Sequence, residues 1–153
     1  SPYWSAVTDA YTKGDYIWIK MSMKRLNKLS FIFSFLILFM LLVSDKIYYY
    51  WIGEIINVPY NLSIALAFYN ISIIFLSPYT HFINGFGTLN LGIRIILIKM
   101  IFFLPVAIHM TKTFGSVGLV YSLLIVNSAP NMIFSTIQYY KLSNKTAYGI
   151  WGK

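Results

Sequence analysis

The chain has 153 residues, 58% of them hydrophobic and 10% charged, and twelve Lys and Arg against four Asp and Glu leave a net charge of +8. Soluble domains are ~45–50% apolar and about 25% charged, and a globule of this size keeps too much surface exposed to hide the excess. That excludes a soluble enzyme or a nucleic-acid-binding domain, and the absence of cysteine excludes a disulfide scaffold, thiol redox chemistry and a Cys-based metal site.

The gaps between charges divide the chain. Lys28 to Asp45 encloses 16 uncharged residues, Glu54 to Arg94 encloses 39, Lys99 to Lys112 encloses 12 and Lys112 to Lys141 encloses 28. A helix crosses the hydrocarbon with about 20 mostly apolar residues, and only helices or closed barrels satisfy their backbone in lipid. Strand alternation is absent. The expected fold is therefore all-α, a polytopic transmembrane bundle of about four spans, placed at 29–48, 58–78, 92–111 and 116–138. Residues 1–12 read as the end of a preceding, fifth transmembrane helix and 139–153 as a tail. The opening Ser1-Pro2-Tyr3-Trp4 has neither Met nor a signal-peptide layout, so a piece of a longer chain is expected.

Residues 13–28 read as a separate interfacial element. Asp15 is a suitable N-cap, Tyr16, Ile19, Met23 and Leu26 recur on one helical face, and Lys20, Lys24 and Lys28 form the opposing stripe. Such a helix lies in the headgroup plane with Trp18 as an anchor and its lysines toward anionic lipid; a simple topology anchor fits the same residues. Lys13, Lys20, Lys24, Arg25, Lys28, Arg94, Lys141, Lys145 and Lys153 fall on one side of the membrane, Lys46 and Lys112 on the other. Nine cations against two place residues 13–28, the 79–92 loop and the C-terminus in the cytoplasm, with Tyr48, Tyr49, Tyr50 and Trp51 as the outer aromatic belt.

Within the spans, Lys99 is the most informative residue. A lysine near the bilayer centre costs roughly 2.5–3.5 kcal/mol on insertion scales, and no span contains an acidic residue to pair with it. It either faces a polar cavity or snorkels to the interface, and Arg94 marks the edge of the same span. Asn127, Asn131, Ser135 and Gln138 recur on one face of the fourth span, while Ser63, Ala67, Asn70 and Ser77 form a milder stripe on the second and Ser30 and Ser34 sit one turn apart on the first. Helix packing and a hydrated cavity for a polar cargo both explain such stripes. Pro105 and Pro130 are each expected to remove a backbone hydrogen bond and favour a kink, as in the broken helices common in transporters, and Pro59 and Pro78 to mark span ends. Catalysis has little to use: Asp9, Asp15, Asp45 and Glu54 sit outside the spans, and His81 and His109 fall on opposite sides, so they form neither a dyad nor a metal site. No enzyme activity, metal or cofactor is expected.

Pro2-Tyr3-Trp4-Ser5-Ala6, Asp9-Ala10-Tyr11, Lys13-Gly14-Asp15 and Trp18-Ile19 resemble the cytoplasmic loop motif of polysaccharide repeat-unit (O-antigen, Wzx-type) flippases. These belong to the multidrug/oligosaccharidyl-lipid/polysaccharide exporter superfamily. Asn84-Gly85-Phe86-Gly87 before a span bearing Arg94, and Gly115-Ser116-Val117-Gly118, are similar to its glycine loops. The resemblance implies the last third of a two-bundle transporter in the bacterial cytoplasmic (inner) membrane, partnered by a missing N-terminal bundle and by the lipid bilayer. It implies alternating access and an undecaprenyl-pyrophosphate-linked oligosaccharide as cargo, used in surface polysaccharide (lipopolysaccharide or capsule) synthesis. The candidate substrate-binding residues are Lys99, Arg94, Asn127, Asn131 and Asn70, with Lys99, by position alone, facing the pyrophosphate. The alternatives are a small structural or accessory membrane subunit, a multidrug exporter of the same superfamily and, with least to support it, a membrane enzyme acting on polyprenyl lipid.

Overall fold

The computed structural model describes residues 2–53 and 58–152; Ser1, Glu54 and Lys153 of the sequence reading lie outside them. The elements in order are α1 (Pro2–Thr12), α2 (Tyr16–Leu42), α3 (Ser44–Ile52), α4 (Tyr60–Gly85), α5 (Asn90–Phe114), α6 (Ser116–Ser122), a π-helical segment (Leu123–Ser128), α7 (Ala129–Ser143) and a 3-10 turn (Gly149–Trp151). No strand occurs among the described residues. Four helical stretches are long and apolar enough to cross a membrane: Tyr16–Leu42, Tyr60–Gly85, Asn90–Phe114 and Ser116–Ser143. The all-α bundle expected from composition is the fold observed.

Several boundaries move, each for a local reason. Residues 13–28 are not a separate interfacial helix. Asp15 does cap, accepting the Trp18 amide at 2.9 Å, but nothing between Lys28 and Leu29 breaks the backbone, so α2 runs on into the span. Its Ile19 and Met23 are buried in protein together with Val7, Ala10, Phe82, Phe86, Tyr139 and Leu142, and Tyr16, Trp18 and Leu26 pack against that cluster. The stripe read as facing lipid therefore faces α1, α4 and α7, and Trp18 lies beside Tyr3, ring centroids 6.2 Å apart. The first span ends at Leu42, not residue 48, and Ser44–Ile52 forms its own short helix that exposes Tyr49, Tyr50 and Trp51. The fourth crossing continues to Ser143, so the first five residues of the expected tail are helical.

Pro78 is inside α4, which continues seven residues past it to Gly85. Proline has no N–H to give the carbonyl of Ile74, one turn earlier. Ser30 of α2 supplies the missing donor, its Oγ lying 3.2 Å from the Ile74 carbonyl and 3.1 Å from the carbonyl of Leu26. In lipid a freed backbone acceptor needs such a partner, so the proline reads through the helix instead of ending it. Ser30→Ala is expected to cost about 1 kcal/mol. Combined with Pro78→Ala, which restores the amide, the cost should shrink; an unchanged cost in a double-mutant cycle of unfolding would refute the pairing.

α4 is the centre of the bundle, packing on α1, α2, α6, the π segment and α7. Its last residue, Gly85, touches α1: a Cβ there would collide with Val7, and Thr8 Oγ1 donates to the Gly85 carbonyl at 2.9 Å. At the same end α1 terminates through the left-handed Gly14, with the Asp15 amide bonded to the Ala10 carbonyl and the Gly14 amide to that of Tyr11, a reversal that needs a residue free of Cβ strain. The large aromatic core thus collects at the end of the bundle that carries Lys13, Lys20, Lys24, Arg25, Lys28, Lys141 and Lys145, termed the basic end below.

A one-sided cavity between the central helix and the last two crossings

α5 packs broadly on α6 but only thinly on α7, and it makes no broad contact with α4. At the end opposite the basic end, α5 and α6 are clamped. Gly118 sits so close to the backbone of Met110 and Thr111 that no Cβ fits there. Toward the basic end the helices part, and a cavity of about 610 Å³ opens between them. Its walls are Thr80, Ile83 and Asn84 of α4, the α5 face from Gly92 to Phe103, Leu123, Val126 and Asn127 of the π segment, and Asn131, Ser135 and Gln138 of α7.

The polar stripe of the fourth crossing lines this space entire: Asn127, Asn131, Ser135 and Gln138 all contribute. Lys99 enters from α5, and its Nζ donates to the Asn127 side-chain oxygen at 2.8 Å. Among the described residues the single ion pair is the exposed Lys13–Asp9 contact at 2.8 Å, so Lys99 has no carboxylate partner there. Lys99 thus borders a polar cavity, the setting of the first of its two sequence readings. Moving an ammonium into a membrane is tolerable when it gains protein hydrogen bonds and faces a polar space, and one amide oxygen meets only part of what its three protons can donate.

The π-helical segment explains how Asn127 reaches Lys99. Six residues, Leu123–Ser128, carry the wider helical turn directly before Pro130, which occupies the first turn of α7. Proline at that point withdraws the amide that would bond the Val126 carbonyl, and π turns arise where the regular ladder is interrupted, often at functional sites. The proline was legible as a kink; the wider turn and its effect on Asn127 were not.

Arg94 and Asn70 do not belong to the site. Arg94 is exposed on the outer face of α5. It lies five residues before Lys99, about 500° around a helix of 3.6 residues per turn, and so on a different face. Asn70 is exposed, and its amide donates at 2.8 Å to the Leu66 carbonyl of its own helix. Of the second-span stripe Ser63 and Ala67 are buried, Ser63 meeting Tyr48 at 3.2 Å, so packing accounts for them. Sequence reasoning missed Asn84, Thr80 and the apolar wall of Ile93, Ile96, Met100 and Phe103. Asn84 was hidden inside a glycine cluster that reads as a loop.

Ile93, Ile96 and Met100 line the cavity and are also 52%, 51% and 69% exposed. The same three side chains thus border both the pocket and the exposed outer surface of α5, so the cavity opens sideways. Lys24 and Lys28 are exposed outside it, whereas Lys20 Nζ donates to the Asn144 oxygen at 2.8 Å. Among the described residues no group of three metal-ligating side chains forms. No family model matches this chain, and neither a curated protein nor a solved structure matches it. The cavity itself must carry the functional reading.

Proposed function

We propose that this chain is part of a bacterial inner-membrane flippase that carries lipid-linked oligosaccharide repeat units outward by alternating access, with no catalytic step of its own. The observation that carries the reading is Lys99: the cavity's cation, without a carboxylate partner among the described residues and 2.8 Å from Asn127, in a cavity walled by amides and hydroxyls on one side and apolar side chains on the other. That lining suits an amphiphile with an anionic joint, sugar hydroxyls and a hydrocarbon tail.

In this reading the diphosphate of an undecaprenyl-linked sugar takes the free protons of Lys99, an ammonium being a compact anion partner. Asn127, Asn131 and Ser135 exchange hydrogen bonds with hydroxyls, and the tail leaves between Ile93 and Met100 into lipid. The positive-inside rule orients the basic end toward the cytoplasm, so the wider half of the cavity lies toward the side where the cargo is made. The exposed Lys24 and Lys28 then face anionic headgroups, as the same rule requires. The clamp at Gly118 closes the opposite end, as one arm of an alternating-access cycle requires.

The test is reconstitution of the full-length polypeptide that bears this sequence into sealed vesicles with a fluorescent lipid-linked oligosaccharide. Movement of the label between leaflets should exceed that in protein-free vesicles and should be competed by unlabelled lipid-linked sugar. Leaflet exchange equal to the protein-free rate would remove the proposal.

A further inference from the structure

Gln138 lines the cavity yet is only 2% exposed. At this residue the cavity wall meets the C-terminal turn. Its side-chain amide donates to the Thr88 carbonyl at 3.1 Å, to Thr88 Oγ1 at 3.3 Å and, at 3.4 Å, to the carbonyl of Trp151. The 3-10 turn Gly149–Trp151 touches both α5 and α7, the two helices that border the cavity. The Trp151 ring lies against Phe134 of α7 at 6.4 Å, and Lys141 Nζ stands 4.7 Å from its centre.

The chain reaches this position by an unusual reversal. After α7 the Lys145 amide bonds the Leu142 carbonyl and the Thr146 amide bonds that of Lys141, which puts Lys145 in the left-handed region at φ 59°. A side chain there is disfavoured, and the Lys145 ammonium, 4.5 Å from the Tyr16 ring, helps hold it. Gly149 adds a second left-handed residue at φ 61°. The two together bring the backbone back over the helix it has just left.

We propose that residues 149–151 form a latch across the basic end of the cavity, with Trp151 as its bolt, and that the latch opens by local release without unfolding α7. Its fastenings suit release. The Trp151 carbonyl receives the longest of the three bonds from Gln138, and two donor hydrogens shared among three acceptors leave Gln138 still bonded to Thr88 when that bond breaks. The ring is held by one tilted aromatic contact and one cation, contacts that are individually weak. Few buried contacts hold the turn, which is what a segment of low local stability looks like. The latch regulates the same site as the flippase reading and rests on that reading for its purpose, but its geometry does not depend on what the cavity carries.

The absence of cysteine makes a direct test available. Ser135→Cys, introduced as the sole thiol, is placed in sealed vesicles and exposed at the basic end to a water-soluble, permanently charged methanethiosulfonate, which cannot enter through lipid. Trp151→Ala and Lys141→Gln should each raise the modification rate, Trp151→Ala by about tenfold, as expected for losing a partly desolvated cation–π and ring contact. Tyr148→Ala, which alters a largely exposed neighbour, should leave the rate unchanged. An unaltered rate in Trp151→Ala, or an equal rise in Tyr148→Ala, overturns the latch. Because labelling needs no transport, a protein that opens on release of Trp151 yet moves no lipid-linked sugar would sink the flippase reading and leave the latch standing.

Discussion

Under the proposed flippase function, Lys99→Ala is expected to reduce translocation of the lipid-linked sugar by roughly 10- to 100-fold, the equivalent of losing one charge-assisted hydrogen bond to an anionic group. The protein should remain folded. Burying an ammonium in a membrane is unfavourable by itself, so deleting it removes a cost, and the Asn127 amide left behind loses one interhelical bond worth about 0.6 kcal/mol on average. Transport and stability should therefore separate. Lys99→Arg, which keeps the charge but spreads it over a planar fork, should retain part of the activity, whereas Arg94→Ala and Asn70→Ala should change it little, since neither side chain reaches the cavity. Full transport by Lys99→Ala, with normal unfolding, would show that the cation serves no cargo.

The second large effect concerns the opposite end of the cavity. Gly118→Ala should destabilise the protein by about 3 kcal/mol, the upper part of the usual range for overpacking, because the added methyl would meet the backbone of Met110 and Thr111 and not a movable side chain. Relief requires α6 to shift from α5, which would also spread the cavity. Gly92→Ala is the matched control. Gly92 also lies on the cavity wall, but a Cβ there meets nothing within 4 Å; it sits in the first turn of α5, where exchange for alanine gains less than the about 1 kcal/mol of a helix interior. Opposite signs for the two substitutions are the expected outcome in detergent unfolding measurements. Equal small effects would show that the helices do not meet at Gly118.

Much of the candidate site was legible because a helix converts spacing into direction. Asn127, Asn131, Ser135 and Gln138 share one face whatever the helix packs against, and a lysine eight to ten residues into an apolar span must face something polar. What spacing could not supply was the partner. The face carrying Tyr16, Ile19, Met23 and Leu26 was correctly apolar, but an apolar stripe fits lipid and protein equally well, and only the positions of α1, α4 and α7 decided between them. Arg94 and Asn70 show the same limit in reverse: both are polar groups in or beside a span, and both turn outward.

The sequence by itself determined that the chain is helical, that four stretches can cross a membrane, where the cations concentrate and which side chains share a face. Those properties follow from composition and from the 3.6-residue period, which are local. The tertiary structure alone decided that Lys99 meets Asn127, that Pro78 is bridged by Ser30, that Gly118 brings two backbones together, and that the Trp151 carbonyl returns to Gln138. Each of these depends on the relative rotation and separation of helices distant in sequence, which a repeating apolar pattern leaves undetermined because lipid and protein reward it alike.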